Sequence, residues 1–438
     1  MILRMKKVLG VLLLSLFVVP LAWGDDGAQG EAQDSWSLTY FGTVVYSGFY
    51  DTRENVAARD GEEYFFPKPI ALNDRGVDLN AVGKLEMKSI STELGVGFKG
   101  PKVLGAVPSG NISIDYFALL TELAYMPRIK RAYLQLDWQQ QGLRLLAGQY
   151  DAVMKVDGFA PKANYTGAGS GFAQTMRMAQ LRLSWRPACQ FEMAFAAGMH
   201  TYHGYSQPRL QQQKSGRPDL GGYLLYGPLP QFAMAASASG RWFKPRATTR
   251  SGEVAREQAD SYDVTLYMRL RGPWVRFVAS GSYGKNRAFA KMLGGYGYDP
   301  TTDENGDFSY SGLAGGIGWG DIHVTLPANF SLSCFVGYYQ QLGADRPYKP
   351  LRTFGDGAIN PTRGDDVQSL LRVVPEFSYA YKGFVAALSY HFDTALWGAA
   401  WDAMHKAAGQ LSRSTNHRVQ LVLRYGFAGG HTWTKPNK

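Results

Sequence analysis

Hydrophobic and polar residues alternate along most of the chain, and the stretch NHRVQLVLRYGF (416–427) shows the pattern clearly. Its odd-numbered positions from Val419 to Phe427 are apolar, whereas Arg418 and Arg424 fall on the opposite register. Successive side chains of a β-strand point to opposite faces, so this stretch predicts a strand with one apolar face and one arginine-bearing face. The alternation recurs in GVDLNAVGKLEMKS, SISTELGVGFKG, KRAYLQLDW, YDVTLYMRLRG, WVRFVASGSY and FSLSCFVGYY. Because arginine in mid-strand needs water, we expect the polar faces to surround an aqueous space.

The connections between these strands alternate between short and long. Short ones lie at 139–142, 186–190, 227–230, 271–274, 326–329 and 381–383, and a longer turn covers 100–110. Long ones cover roughly 51–76, 118–127, 151–175, 201–220, 244–259, 287–307, 343–366 and 396–413. The register changes near Lys88, which indicates a bulge in one strand or a tight turn; with the bulge, the count is sixteen strands. Short turns at one end and long loops at the other are typical of outer-membrane barrels.

Aromatic residues gather at both predicted ends of the strands, which tests the topology independently of loop length. At the end with short turns lie Trp36, Trp138, Trp185, Phe191, Trp274, Phe330, Phe384 and Phe427. At the opposite end lie Tyr50, Tyr150, Tyr202, Trp242, Tyr262, Tyr283 and Trp397. Two aromatic girdles of this kind favour the headgroup levels of a membrane.

The alternative fold is a secreted β-sandwich or propeller, whose strands also alternate. Strands of those folds are usually shorter and seldom carry arginine in mid-strand on repeated elements. The sequence therefore predicts an all-β fold: a transmembrane antiparallel β-barrel of about 16 strands, with short periplasmic turns and long extracellular loops.

The N-terminus predicts export from the cytoplasm. Three basic residues, the last of them Lys7, precede an apolar run that ends near Ala22, the form of a secretory signal peptide over residues 1–24. An uncleaved anchor is the alternative, but the run is shorter than the ~20 residues of a spanning helix. We expect a short N-terminal segment at 25–35, the barrel at 36–427 and a C-terminal tail at 428–438. The expected location is the outer membrane of a Gram-negative cell, after signal-peptide cleavage.

Composition adds three limits. The 438 residues are 45% hydrophobic and 13% aromatic, which excludes global disorder. The net charge is +10, or +7 without the signal peptide, and it is spread through the strands, so nucleic acid is not an expected partner. Cys189 and Cys334 are expected to be unpaired.

Basic residues slightly outnumber acidic ones in the inward register of the predicted barrel. The candidate pore-lining arginines are Arg131, Arg144, Arg182, Arg269, Arg276, Arg372, Arg418 and Arg424. Guanidinium groups suit carboxylate and phosphate, and rings of one charge select ions by sign, so this set predicts an anion path. Acidic residues share the register, and the alternative is that opposite charges pair across the wall and only hold water.

Several stretches resemble DcaP-like outer-membrane porins, especially those of Bacteroidota-type bacteria. They are ELGVGFKGPKVLGA, RAYLQLDW followed by LRLLAGQY, YGKNRAFAKMLGGYG, FVGYYQQLGADRP, RVVPEFSYAYKG and VQLVLRYGF. The resemblance covers most of the mature chain and implies a sixteen-stranded trimeric porin that passes small, often negatively charged solutes. Arg131 and Gln149 are the positions that match the family's strand motifs. Its implied partners are outer-membrane lipid, a homotrimer and the barrel-assembly machinery.

This chain departs from the porin pattern at its end. Porins commonly end on the aromatic residue of the last strand, but here AGGHTWTKPNK follows Phe427. In general porins the third outside loop folds into the barrel and narrows it. The segment LAGQYDAVMKVDGFAPKANYTGAGSG is the third loop by our count, so we expect it to form the constriction. The candidate constriction residues are Lys155, Asp157, Lys162, Asn164 and Tyr165.

The predicted function is a passive diffusion channel for small hydrophilic solutes, with a mild preference for anions such as carboxylates or phosphates. No cofactor and no metal is expected, since His200 and His203 lack further ligands and the stretch DPTTDENGDFSY has Phe308 where a calcium loop needs glycine. No nucleophile-elbow or zinc-protease motif occurs, so we predict no enzyme. Two alternatives stay open: an outer-membrane barrel enzyme, and a structural or adhesive surface protein with a plugged lumen.

Overall fold

Sixteen antiparallel strands form one closed barrel. The computed structural model describes residues 35–434 except 60, 117–124, 164, 166, 201–207, 250, 303–305 and 352–360. The predicted signal peptide, residues 25–34, Asn164 and residues 435–438 lie outside this range. The barrel closes where the first strand pairs with the last, from Ser35↔Thr434 to Asp51↔Arg418.

The strands follow one another around the barrel in chain order. They are β1 (Ser35–Asp51), β2 (Asn55–Ala58), β3 (Glu63–Pro67), β4 (Lys84–Lys88), β5 (Glu93–Lys99), β6 (Val107–Tyr116), β7 (Pro127–Trp138), β8 (Leu143–Asp151), β9 (Arg177–Ala188), β10 (Phe191–His200), β11 (Asp219–Leu229), β12 (Phe232–Phe243), β13 (Ala259–Arg271), β14 (Val275–Lys285), β15 (Gly295–Tyr298), β16 (Tyr310–Thr325), β17 (Phe330–Ala344), β18 (Val367–Tyr381), β19 (Phe384–Gly398) and β20 (Leu411–Thr434). Strands β2, β3 and β15 lie in loops, and β4 with β5 forms one wall strand, so the predicted count of sixteen is confirmed.

In the part of the chain that the structure describes, helical structure lies in the connections between strands. Helix α1 (Pro208–Ser215) follows β10, and single 3-10 turns cover Gln139–Gln141, Ala288–Ala290, Pro300–Thr302 and Pro327–Asn329. Within the described ranges, no helix has the length and apolar character needed to cross a membrane.

The last strand shows an apolar outer face and a polar inner face. In β20, Val419, Leu421 and Leu423 are 50%, 40% and 37% exposed, whereas Arg418 and Gln420 between them are 1% and 2% exposed. The strand therefore presents its apolar register to the outside of the barrel and its polar register to the lumen.

The aromatic girdles are partly as predicted. Exposed rings at the end with short turns include Trp36, Trp185, Trp274, Phe384 and Phe427, and Tyr50 and Tyr283 are exposed at the other end. Two predicted members face inward instead. Tyr150 lies beneath the guanidinium groups of Arg131 and Arg182, and Trp397 is buried with its ring 5.7 Å from that of Phe66.

The change of register near Lys88 is a bulge within one wall strand, as predicted. Strands β4 and β5 both pair with β1, at Ser47↔Lys88 and at Thr43↔Glu93. One extra residue on the β4–β5 side is accommodated between these pairs, which is the geometry of a bulge. The apolar face of the wall strand therefore changes from odd-numbered to even-numbered residues.

The predicted boundary at Phe427 is wrong. Strand β20 continues through Phe427 to Thr434, and its last residues pair with β1, as in Trp36↔Trp433. The AGGHTWT part of the predicted tail therefore belongs to the barrel wall, because it continues the backbone ladder that closes the barrel.

Candidate functional site

The loop that follows β8, residues 152–176 (L3), folds into the barrel. It crosses the lumen to the opposite wall, where the backbone N–H groups of Lys162 and Ala163 donate to the carboxylate of Asp321 at 2.8 and 3.2 Å. Tyr267 of β13 donates its hydroxyl to the Met154 carbonyl at 3.1 Å. The ring of Phe172 lies 5.8 Å from that of Phe335. L3 is therefore fixed to the far wall by its backbone and by buried rings.

A glycine permits a close approach between L3 and the wall. Gly158 has a φ of +86°, and a Cβ there would lie 2.4 Å from a guanidinium nitrogen of Arg269. Arg276 donates to the carbonyls of Gly158 and Ala160, both at 2.9 Å. Arg269 also donates to the Gly158 carbonyl, at 3.4 Å, so both arginines contact the backbone of L3 through part of their guanidinium groups.

The loop after β1, residues 52–83 (L1), also enters the lumen, which the sequence analysis did not predict. Its β2–β3 hairpin buries Tyr64, Phe65 and Phe66 to 1–2% exposure. A run of aromatic residues in EYFFP was the available signal, because loops that stay in solvent seldom carry three consecutive aromatic rings.

Two of the predicted pore-lining arginines hold these loops instead of lining water. Arg372 is fully buried: its Nε lies 2.5 Å from Asp393, and its other nitrogens donate to four backbone carbonyls. Those carbonyls belong to Ala168 and Ser170 of L3 and to Tyr64 and Phe65 of L1. Arg418 is also buried; it contacts both oxygens of Asp51 at 2.8–2.9 Å and donates to the Gly61 carbonyl of L1 at 2.8 Å. The prediction that Arg372 and Arg418 line the anion path is corrected, since neither guanidinium reaches solvent.

A cavity of about 320 Å³ lies between these loops and the wall formed by β1, β5–β7, β9 and β20. Its basic lining residues are Arg59, Arg128, Lys130, Arg177, Lys291 and Arg424, and its acidic ones are Glu62, Glu63, Glu93 and Asp115. Uncharged lining comes from β1, β20 and L3, and includes Thr43, Val45, Gln420 and Tyr165. The cavity therefore carries two more basic than acidic side chains.

Most of these charges form pairs at the edge of the cavity. Arg128 contacts Asp115 and Lys130 contacts Glu93, each at 2.6 Å. Arg59 lies 3.9 Å from Glu62. Arg177 lies 3.3 Å from Asp151, which stands at the end of β8. Paired charges of this kind keep the lining polar while reducing the net field of each basic group.

One pair joins L1 to the loop after β14, residues 286–309 (L6). Lys291 of L6 contacts Glu63 of L1 at 2.5 Å. Burial raises the pKa of Glu63, but the charges of Lys291 and Arg59 outweigh it and hold that pKa at about 2. Burial of the ammonium lowers the pKa of Lys291 to about 8, against the opposing attraction of Glu63. Glu63 is therefore ionised at neutral pH, while Lys291 loses its charge in mildly alkaline solution.

The Lys291 pKa of about 8 predicts that the preference of the channel for anions depends on pH. Between pH 7 and 9, which span the Lys291 pKa of about 8, the cavity loses one positive charge, so anion preference should fall as pH rises. The reversal potential in a potassium chloride gradient, measured across that range, checks it. Lys291→Arg keeps the charge and should show a flat profile, and a fall of equal size in that variant would contradict the assignment.

The remaining predicted residues lie in different places. Arg131 is 3.2 Å from Asp151, and Arg182 donates to the Asp151 carbonyl, so both hold the start of L3. Arg144 lies at the turn end of β8, 3.7 Å from Asp137, and does not line the cavity. Arg424 lines the cavity.

The predicted constriction residues are also spread out. Lys155 contacts Asp151 at 2.9 Å, and Asp157 and Lys162 are exposed. Tyr165 lines the cavity. Asn164 lies outside the described residues.

The sequence analysis missed five of the six basic residues of the cavity. Arg128 and Lys130 were missed because a bulge in the β6–β7 pairing, at Ser113↔Arg131 and Ile114↔Ile129, brings Lys130 and Arg131 to the same face. Arg177 is the first residue of β9, beyond the predicted end of L3. Arg59 and Lys291 belong to loops that strand periodicity does not describe.

The closed sixteen-stranded wall with loops folded into its lumen is similar to solved structures of outer-membrane porins. The outer membrane channel DcaP of Acinetobacter baumannii superposes with a TM-score of 0.60 at 14% identity, over 92% of this chain and 100% of that one. The anion-selective porin from Comamonas acidovorans gives 0.56 at 10% identity, over 90% and 100%. Salmonella typhi OmpF gives 0.50 at 12% identity, over 89% and 97%.

The superpositions establish the fold. Sequence identities of 10–14% leave the DcaP-like family assignment a prediction. No protein-family model matches the sequence, and no curated protein matches it.

Proposed function

We propose that the protein is an outer-membrane porin, a passive diffusion channel for small hydrophilic solutes with a mild preference for anions. The observation that carries this proposal is the charged cavity between the inward loops and one side of the wall. A net excess of two basic side chains in the cavity should favour the passage of anions. Because most of the charges are paired, the preference for anions should be modest. The proposal includes signal-peptide cleavage, residence in the outer membrane of a Gram-negative cell and assembly as a homotrimer.

We further propose that the barrel is not an enzyme. Alternate residues on the inner face of β19 are Ser389, His391 and Asp393. The Ser389 hydroxyl lies 3.1 Å from Nε2 of His391. All three are at most 2% exposed, and Asp393 is engaged by Arg372 at 2.5 Å. A solute cannot reach this serine, so the grouping supports a structural role rather than nucleophilic catalysis.

The test is planar-bilayer conductance of the purified, folded protein with a potassium chloride gradient. We expect discrete steps and a reversal potential that favours chloride. An excess of two charges in a wet cavity is worth on the order of 1 kcal/mol, which corresponds to a permeability ratio of about five. Steps that favour potassium would overturn the anion preference and keep the channel.

One substitution tests whether the cavity sets the preference for chloride over potassium. Arg424→Gln should lower the chloride preference by about twofold, the share of one exposed charge. Arg144→Gln is the matched control, because Arg144 is also a partly exposed wall arginine but does not line the cavity. Equal effects of the two substitutions would show that selectivity arises outside the cavity.

A structural or adhesive protein with a plugged lumen is the second candidate. The deep burial of the L1 hairpin and of L3 favours it, since both occupy space that an open barrel would leave to water. The absence of conductance from a folded barrel would support this candidate.

A further inference from the structure

The last strand runs past its neighbour and leaves one backbone edge without a partner strand. Pairing between β19 and β20 ends at Phe384↔Tyr425, and the Gly426 N–H makes the last contact on that side, with the Gly383 carbonyl at 2.9 Å. Strand β20 nevertheless continues to Thr434, and among the described residues this final part pairs only with β1. We call the side of residues 427–434 that faces away from β1 the open edge.

The strand register identifies the backbone groups on the open edge. The N–H and C=O groups of a strand residue point to one side, and that side changes at each successive residue. Because the Gly426 N–H faces β19 and the pairing with β1 continues without a shift, the groups of Ala428, Gly430 and Thr432 face the open edge.

The open edge lacks the protection that such edges usually have. Proteins commonly shield an edge strand with proline, lysine or inward-pointing charged side chains, or with a covering loop. Residues 427–434, FAGGHTWT, contain no proline, lysine, arginine or carboxylate. An unshielded row of N–H and C=O groups is a template on which another extended chain can add as a strand.

The outer face beside the open edge is aromatic and exposed. Trp433 pairs with Trp36 of β1, and the two side chains are 50% and 54% exposed. The ring of His431 lies 4.6 Å from that of Trp433, and Phe427 is 40% exposed on the same face of β20. Aromatic and β-branched side chains on neighbouring strands stabilise a sheet, so this face fits an added strand with β-branched residues at alternate positions.

The charge around the open edge is positive. Strand β20 contains no acidic residue, and β1 contains none before Asp51 at its far end. Lys382 is exposed in the turn that adjoins the open edge at Gly383, and the sequence after the strand contains Lys435 and Lys438. A surface of one sign favours a partner of the opposite sign, so the added strand should be acidic.

The expected orientation in the membrane argues against a second copy as the added strand. Copies that share a membrane lie at the same height with β20 running in the same direction. Each edge-facing residue would then meet its own counterpart, with N–H opposite N–H. A parallel ladder instead needs each edge-facing residue opposite one whose groups point away, so two open edges cannot pair regularly.

From these observations we propose that the open edge of β20 binds an acidic, extended segment of a partner protein by strand addition. The segment forms backbone hydrogen bonds with Ala428, Gly430 and Thr432 and packs β-branched side chains beside Trp433. This inference goes beyond the channel function and takes from it only the orientation, which places the end with short turns, and hence the partner, in the periplasm.

The experiment measures binding of synthetic peptides to the detergent-folded full-length protein by fluorescence anisotropy. The probe is a fluorescein-labelled peptide that alternates valine with glutamate and matches the open edge in length. Its controls are the same peptide with every amide N-methylated and a peptide with lysine in place of glutamate. We expect the N-methylated peptide to bind at least about tenfold more weakly, because it cannot donate backbone hydrogen bonds. The lysine peptide should bind at least about threefold more weakly, because its charge is reversed.

A matched pair of variants assigns the binding to the open edge. Ala428→Pro combined with Thr432→Pro removes two edge-facing N–H groups and leaves the pairing with β1 intact, so binding should weaken about tenfold. Ala428→Val combined with Thr432→Val keeps both N–H groups and should bind as the wild type does. Hydrogen exchange of the wild type is a second measurement that needs no proline. The peptide should slow exchange at Ala428, Gly430 and Thr432.

The outcomes separate this proposal from its alternatives. No binding, equal binding by the proline and valine variants, or unchanged exchange at the edge would overturn strand addition. Equal binding of the lysine peptide would overturn the acidic partner. A smaller oligomer in the proline variant without peptide would show that a second copy occupies the edge. Tighter peptide binding after deletion of residues 25–34 would assign the edge to that segment of the chain. Either result would overturn the proposal. Peptide binding by a protein without conductance would overturn the channel function and keep the open edge as a binding site.

Discussion

Arg372→Met is expected to raise the single-channel conductance several-fold and to lower the free energy of unfolding by about 3–5 kcal/mol, the usual cost of removing one partner of a buried ion pair. Arg372 binds L1, L3 and Asp393 together. Without it, four backbone carbonyls of L1 and L3 lose their donors and Asp393 stays buried without its partner. Both loops should then leave the wall for part of the time and widen the water path.

Conductance and denaturant unfolding of the same preparations measure the two effects separately. The double variant Arg372→Met with Asp393→Leu removes both charges, so it should recover much of the stability while keeping the raised conductance, because the loops still lack their donor. Arg144→Met controls for the loss of a luminal charge, and we expect it to change neither quantity appreciably. Unchanged conductance in the double variant would show that Arg372 does not hold the loops in place.

The strands of the barrel wall were predictable from the sequence because successive side chains of a strand face opposite sides of the wall. Apolar and polar residues therefore alternate with a period of two. Alternate positions of β20 carry opposite residue types, with Val419 exposed on the outside and Arg418 buried on the inside. The bulge near Lys88 was readable for the same reason, since the apolar register changes there. The end of the last strand was misplaced because AGGHTWT alternates only weakly, while its pairing with β1 is a long-range contact.

The use of each luminal arginine was not predictable from the same pattern. Alternation places Arg418 and Arg424 on the same inner face, six residues apart on β20. Arg418 meets Asp51 and the L1 backbone and is buried, whereas Arg424 lies below that contact and faces the cavity. The difference is made by L1, whose path through the lumen depends on contacts between residues far apart in sequence.

Counting charges along the strands predicted a pore lined by wall arginines alone, which differs from the lining in the structure. It assigned the anion path to wall arginines, but the wall and the inward loops share the lining of the cavity, with acidic residues close to most basic ones. The alternative in which opposite charges pair across the wall therefore describes most of the lining, and Arg424 is the exception among the predicted residues.

Excision of the L1 hairpin is expected to enlarge the channel more than any single substitution that leaves the barrel folded. Residues Asn55–Pro67 can be replaced by two glycines, because the Lys68 N–H already donates to the Glu54 carbonyl at 2.9 Å and the ends of the cut therefore adjoin. The excision removes Arg59, Glu62 and Glu63 from the cavity lining together with the buried rings of the hairpin. The wall should survive it, since the β1–β4 pairing lies outside the excised segment.

The measurement is single-channel conductance, with Asp74 and Arg75 replaced by glycine as the control, because that exposed tip belongs to L1 but lies outside the lumen. Conductance should rise several-fold in the excised protein and stay at the wild-type value in the control. Wild-type conductance in a folded, excised barrel would show that the L1 hairpin does not form the narrowest part of the channel.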